Sequence, residues 1–373
     1  MMLHGLAAFF LVLFPMVLHA ESSSKGSDWH WGAYADLSYP ANFNTSEPHL
    51  WRSKLTTRKL SQFSPNLGMV YLRKDISAAS SWGLELAGQA GYDTAGQLPA
   101  YSPLAGADTL QYVSRANISY LAPIGTGLKL TAGLFNSFIG CESFYAKDNS
   151  HYTRAWMADY SPYFLIGGGA QYALNAEMDA GFYLLTDWNY LQSINALPKY
   201  GLQYTWRLRP GLKWMQNFFV GPEQTQTAIA NWRVFSNTML EHTADDYTLT
   251  MLYDVGTEHL QGSTGPDLQA FWTASALTGR WNFSGPWSVA MRPELNWDAN
   301  GLMTGYVQFI KAITTTLEYR FVDEAATGRI RLEYRYDNST GQQGGFYGAG
   351  GVDAPLVAGQ STLFMALLLS FDQ

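Results

Sequence analysis

The chain has 373 residues, 15% of them aromatic and only 14% charged, with 35 glycines and a net charge of −7. So many rings and so few charges exclude a disordered chain and a coiled coil. The acidic balance leaves no basic footprint for nucleic acid, and a single cysteine, Cys141, excludes an intrachain disulfide framework and a cysteine-based zinc cluster.

Residues 6–18 form an apolar run broken by Pro15, and the chain turns polar after Ala20. This is the pattern of a secretory signal peptide, with cleavage expected after Ala20. The organisation read from the sequence is a signal peptide over 1–20, a short periplasmic segment over 21–27, and one β-barrel domain over 28–373. No later stretch of 18 apolar residues could cross a bilayer as a helix. What remains is a secreted soluble protein or a membrane β-barrel.

Alternation with a period of two runs through the rest of the chain, as strands with two unlike faces require. Trp82, Leu84, Leu86, Gly88, Ala90 and Tyr92 alternate with Gly83, Glu85, Ala87, Gln89 and Gly91. Tyr200, Leu202, Tyr204, Trp206 and Leu208 alternate with Lys199, Gln203, Thr205, Arg207 and Arg209. The predicted strands are 28–38, 64–73, 81–92, 108–121, 127–136, 163–175, 178–188, 198–209, 211–220, 230–241, 247–256, 268–282, 286–297, 308–321, 328–337 and 361–371. Sixteen strands is the reading, with 14 or 18 left open by the less regular stretches at 64–73, 211–220 and 268–282. Pro293 lacks a ladder donor, so a bulge is expected there.

A soluble sandwich also alternates, but its strands are shorter, usually about five or six residues. Here rings stand ten residues apart on the apolar face, as Trp82 and Tyr92, and Trp287 and Trp297. Ten residues of tilted strand rise roughly 25 Å, the height of the apolar band of an outer-membrane barrel. Connections alternate short (122–126, 175–176, Pro210) with long (39–63, 137–162, 338–360), the pattern of short periplasmic turns and long outer loops. The fold class read from the sequence is therefore all-β, a transmembrane antiparallel barrel in a bacterial outer membrane.

Several segments together resemble one family. They are Tyr39-Pro-Ala-Asn-Phe-Asn44, Gly133-Leu-Phe135 leading to Glu142, Trp188-Asn-Tyr190, Gly221-Pro-Glu223, Arg292-Pro-Glu294 with Asp298-Ala-Asn-Gly301, Thr314 to Arg320, and Arg331-Leu-Glu-Tyr-Arg-Tyr-Asp337. In combination they resemble the beta-barrel porin-2 (OmpL-like) outer-membrane proteins over nearly the whole mature chain. The resemblance implies a porin barrel more than it implies a substrate.

On the lumen parity stand Arg207, Arg209, Lys213, Arg233, Arg292, Glu294, Glu318, Arg320, Arg331, Glu333, Arg335 and Asp337, the candidate pore-lining residues, with Asp36, Glu85, Arg115, Lys129 and Asp254 also facing inward. Lumen charge tunes conduction, whereas a charge on the lipid face costs about 2–4 kcal/mol at the midplane. The cluster from Arg292 to Asp337 reads either as a neutralised ladder bracing the wall or as an ion path. If the turn at 322–327 pairs Phe321 with Gly328, Glu318 faces Arg331. Arg207, Arg209, Lys213 and Arg233 have few acids on their own strands, so they are expected to form an uncancelled basic wall that steers solutes.

The third long loop, 137–162, carries Glu142, Lys147, Asp148, His151, Arg154 and Asp159. By the porin resemblance it folds inward, with Glu142, Asp148 and Arg154 at a constriction; the alternative is a loop lying outside. Five histidines of the mature chain (His30, His49, His151, His242 and His259) are scattered without a catalytic motif, so no enzyme activity, cofactor or metal is expected. The function expected is passive diffusion of small hydrophilic solutes or ions. The alternative is a non-conducting structural or surface-receptor barrel plugged by its first, third and eighth loops. The expected partners are outer-membrane lipid and small solutes, with no nucleic acid and, by analogy with sixteen-stranded porins, a homotrimeric assembly.

Overall fold

The computed structural model describes residues 28–45, 48–98, 105–192, 194–261, 267–350 and 352–373. The expected signal peptide and the segment to residue 27 lie outside these residues. The remainder is one closed barrel of sixteen strands, each antiparallel to both neighbours, with β1 (Trp29–Asn42) pairing β16 (Gly359–Asp372) to close the ring. Between them run β2 (Ser64–Lys74), β3 (Trp82–Ala90), β4 (Val113–Ala122), β5 (Leu128–Asn136), β6 (Phe164–Ala173), β7 (Met178–Leu185) and β8 (Lys199–Arg209). The other side is β9 (Leu212–Pro222), β10 (Trp232–Thr243), β11 (Tyr247–Leu260), β12 (Leu268–Ser284), β13 (Trp287–Asp298), β14 (Gln308–Asp323) and β15 (Ala326–Thr340).

The closed ring settles the strand number at sixteen and removes every free edge. At the seam the ladder continues to the last residue, where Gln373 and Trp31 exchange both backbone hydrogen bonds at 2.9 Å. Connections alternate in length around the ring, so the barrel has a short-turn end and a long-loop end. The long ones, L1 to L8 in chain order, include L1 (43–63), L2 (91–112), L3 (137–163), L4 (186–198) and L8 (341–358).

Strand β13 shows why the sequence folds this way. Trp287, Met291, Leu295 and Trp297 point outward and are exposed, while Ser288, Ala290, Arg292, Glu294 and Asn296 point inward and are buried. Rings gather at both ends of the outward face: Trp287 meets Tyr319 at 4.9 Å near the short turns, and Trp297 meets Phe271 at 5.7 Å near the long loops. Rings suit such edges because one side is apolar and the other wet.

Two expectations need correction. The fourth strand begins at Val113, not 108, because Ala107–Leu110 forms a helical turn after Gly106, whose φ is +85°. The bulge expected at Pro293 does not form. Pro293 stays in register with Ile313, and the β12–β13 register is the same on both sides of it. The missing N–H is absorbed as a gap in the ladder opposite Leu277 and Thr278 rather than as an extra residue.

Candidate pore and its constriction

L3 does not lie outside the barrel. It folds into the lumen, and its backbone is fastened to the charged face of β13, β14 and β15. The β14–β15 register pairs Phe321 with Gly328 and sets Glu318 opposite Arg331, whose Nε donates to it at 2.7 Å. The rest of the Arg331 fork reaches inward, donating to the carbonyls of Ala146 (2.8 Å), His151 (2.8 Å) and Asn149 (2.6 Å). Arg292 bridges Glu294 (2.9 Å), Glu142 (2.7 Å) and the Thr153 carbonyl (2.9 Å). Arg335 pairs with Asp337 at 3.0 Å and Glu294 at 3.2 Å, and donates to the Arg154 carbonyl at 3.0 Å.

The carboxylates complete the match by taking the loop's N–H groups. Glu333 accepts from the Tyr152 amide (2.6 Å), the Thr153 amide (2.9 Å) and the Thr153 hydroxyl (2.5 Å). Glu294 accepts the Trp156 amide at 2.7 Å, and Asp337 accepts the Trp156 indole N–H at 2.6 Å. A buried irregular segment must find partners for every peptide group, and here arginines meet its carbonyls and acids meet its amides. Burial and the three arginines hold the His151 imidazole well below its usual range, so it sits neutral against Thr316.

Thus Arg292, Glu294, Glu318, Arg331, Glu333, Arg335 and Asp337 face the lumen, but L3 covers them and none is exposed. Of the two roles open for this cluster, the geometry is that of bracing.

L1 locks L3 from above. Lys54 Nζ lies 2.6 Å from Asp159 and 2.9 Å from the Arg154 carbonyl, with the Trp156 ring centroid 5.0 Å away. Asp159 also accepts from the Thr56 hydroxyl at 2.7 Å and the Leu55 amide at 3.1 Å. Asp93 of L2 accepts the Thr57 amide at 2.7 Å and lies 3.6 Å from Arg154. Burial pushes the Asp93 carboxyl up to about 7 against the pull of Arg154, with Asp36 and Asp159 adding to the rise. Arg52 ties L1 to L8 through the Gly345 carbonyl at 2.8 Å.

The expected constriction residues therefore have different work. Glu142 is neutralised on Arg292 and accepts the Ala155 amide at 2.7 Å. Arg154 is fully buried and donates to the carbonyls of Phe144 and, at 3.2 Å, Tyr152. Asp148 pairs with its neighbour Lys147 at 3.2 Å.

The uncancelled basic wall is corrected at three of its four residues, while Arg209 is exposed at the end of β8. Arg207 contacts Asp179 of β7, Lys213 lies 2.9 Å from Glu241 of β10, and Arg233 lies 2.7 Å from Glu258 of β11. Arg233 also sits over the rings of Trp188 and Trp272. Asp179 escaped the sequence because it lies on the preceding strand and Glu258 because it lies beyond the predicted end of its own, whereas Glu241 stands at the end of the predicted strand 230–241.

Open space lies beside L3 toward both ends of the barrel. Toward the long loops is a cavity of about 320 Å³ lined in part by Leu98, Tyr160, Trp188, Glu223 and Arg233. Toward the short turns is one of about 630 Å³ lined in part by Arg73, Glu85, Asn117, Lys129, Gln171 and Gln203. A larger hollow of about 800 Å³ at the β8–β9 rim includes the outward-facing Trp206 and Leu208, so it is not part of the lumen. A small cavity of about 10 Å³ lies where L3 meets β10 to β13, among Met157, Ser161, Phe235, Asp254, Trp272, Asn296 and Asp298. Asp254 accepts from Asn237 at 2.6 Å and Ser161 at 3.4 Å. Asn237 in turn receives Asn217 at 2.8 Å and the Gly140 amide at 3.1 Å. Asp254 was legible as an inward-facing residue, but nothing in the sequence marked its contact with L3.

Residues 28–371 match the family described as "Putative beta-barrel porin-2, OmpL-like". The chain belongs to this family. Its fold is shared with solved porins at low identity. The anion-selective porin from Comamonas acidovorans superposes with a TM-score of 0.57 at 12% identity, covering 92% of this chain and 99% of that one. OmpF of Salmonella typhi, solved with daunomycin, gives 0.58 at 11%, covering 92% and 97%. The trimer form of OmpT from Vibrio cholerae gives 0.50 at 11%, covering 92% and 98%. No curated protein matches the chain by sequence.

Proposed function

We propose that this porin-family barrel conducts small ions passively across the bacterial outer membrane, through the space left beside the docked L3. One observation carries the reading: beside the docked L3, cavities of about 320 Å³ toward the long loops and about 630 Å³ toward the short turns remain inside the barrel. A lumen narrowed by an inward loop suits small ions and the smallest hydrophilic solutes. Where L3 meets β10 to β13, Asp254, Asn237, Ser161 and Asn296 present oxygen-bearing groups and Asp298 adds a second carboxylate, so cations are the favoured cargo. The family and fold speak for a channel rather than an enzyme. Export by a cleaved signal peptide, long loops facing outward and a homotrimer complete the proposal.

A second reading has its own support. Buried residues of L1, L3 and L8 (Trp51, Trp156 and Phe346 among them) fill the lumen on one side, and Met157 of L3 packs with Met239 and Leu252 on the other. On that reading the barrel is plugged and does not conduct at rest. Planar-bilayer recording on the purified barrel separates the two. Small, ohmic single-channel steps support conduction, and a silent bilayer with inserted protein supports the plug.

A further inference from the structure

Beside L3, toward the short turns, the wall carries a charge imbalance that the fold leaves open. The β14–β15 register sets Arg320 directly opposite Arg329, on the same lumen parity as Glu318 and Arg331. Glu318 is the acid at this spot, and both its oxygens are already taken, one by Arg280 and one by Arg331, each at 2.7 Å. Among the described residues neither Arg320 nor Arg329 has an ion-pair partner, and Arg329 Nη1 is shielded from solvent without any hydrogen-bond acceptor. Arg329 is surrounded by Arg280, Arg320 and Arg331 against the one carboxylate of Glu318. Four guanidiniums thus share one acid in a chain whose net charge is −7.

Like charges directly opposite each other weaken a strand pair, and a buried donor without an acceptor adds to the cost. An oxyanion held between the two forks removes both penalties. We propose that the lumen wall at the short-turn end carries an anion site formed by Arg320 and Arg329, suited to a doubly charged, phosphate-class oxyanion. The planar guanidinium fork matches phosphate oxygens in pairs. Arg280 and Arg331 already share Glu318, and a dianion answers the facing pair, whereas a monocarboxylate answers one of them. Arg320 is exposed, so the site is open to water from the mouth, and its lumen parity turns it away from lipid headgroups.

The test is calorimetric titration of the purified full-length barrel in zwitterionic detergent with inorganic phosphate, at ionic strength held constant with chloride. Saturable phosphate binding is expected, with acetate much weaker. Replacing both residues (R320Q/R329Q) should weaken phosphate binding at least tenfold. In phosphate-free buffer the same variant should melt no lower than wild type, because a repulsion has been removed. The proposal is overturned if wild type shows no saturable phosphate binding, or if the variant binds equally well. It is also overturned if the variant fails to fold or melts lower without phosphate, since these arginines would then serve the fold. The single change R320Q, at an exposed position, should fold and weaken phosphate on its own.

Discussion

Glu333→Ala is the sharpest probe of how L3 is held. Glu333 is fully buried and accepts from two L3 amides, the Thr153 hydroxyl and the Thr316 hydroxyl. Hydrogen bonds to a charged acceptor contribute about 1.5–3 kcal/mol each, and they do not add fully. Loss of the two backbone bonds alone should therefore weaken the docked loop by ~3 kcal/mol, or about a hundredfold in the population of detached L3. The substitution also leaves the neighbouring arginines short of an acid, which pushes in the same direction. The barrel ladder is untouched, so the variant should keep the heat-modifiable gel mobility of a folded barrel. In single-channel recording it should show larger and noisier steps than wild type, and the amides of 146–156 should exchange hydrogen faster. A folded variant with wild-type conductance and wild-type exchange in 146–156 would refute the claim that the ladder holds the loop.

Other consequences can be measured on the same material. Asp254→Asn should reduce cation preference in reversal-potential measurements, most strongly at 0.01 M salt, where the Debye length is about 30 Å, and little at about 1 M. Arg207→Glu replaces a balanced pair with two acids, so it should shift the reversal potential toward cations at low salt, whereas Arg233→Glu should destabilise the barrel by roughly 3–5 kcal/mol in thermal unfolding by leaving Glu258 and Glu223 beside a third acid. The Asp93 carboxyl, raised to about 7, holds its proton in the closed clasp while the released loop gives it up. The clasp of L1, L2 and L3 should therefore be tightest at acid pH and loosen as pH rises from about 4 through 7, and Asp93→Asn should flatten that trend in protease sensitivity of L1. Epitope tags in 43–63 and 341–358 should be reachable on intact cells, and a tag in the turn at 123–127 should not.

The barrel itself was legible because a strand with lipid on one face and water or loop on the other must alternate. That periodicity survives in β8 and β13, and even β12, irregular in sequence, falls into the ring because both its neighbours fix its register. The failures are local and have physical causes. Gly106 turns the chain and starts a helical turn where period two suggested strand. Pro293 drops one bond without shifting register. Inward-facing charge was legible too, but not what each charge meets. Whether Arg331 lines water or a peptide carbonyl depends on where a loop some 180 residues away comes to rest. Lys54, Asp93 and Thr56 were invisible for the same reason, since loop residues carry no periodic signal and their partners are fixed only in three dimensions.

L3, fastened to the β13–β15 ladder, fills much of the lumen and narrows it. Single-channel conductance of a folded barrel lacking 140–158, compared with wild type in the same bilayers, tests this most directly. The deletion should open a wide aqueous lumen and raise conductance several-fold above small wild-type steps. Equal conductance in the two barrels would contradict it.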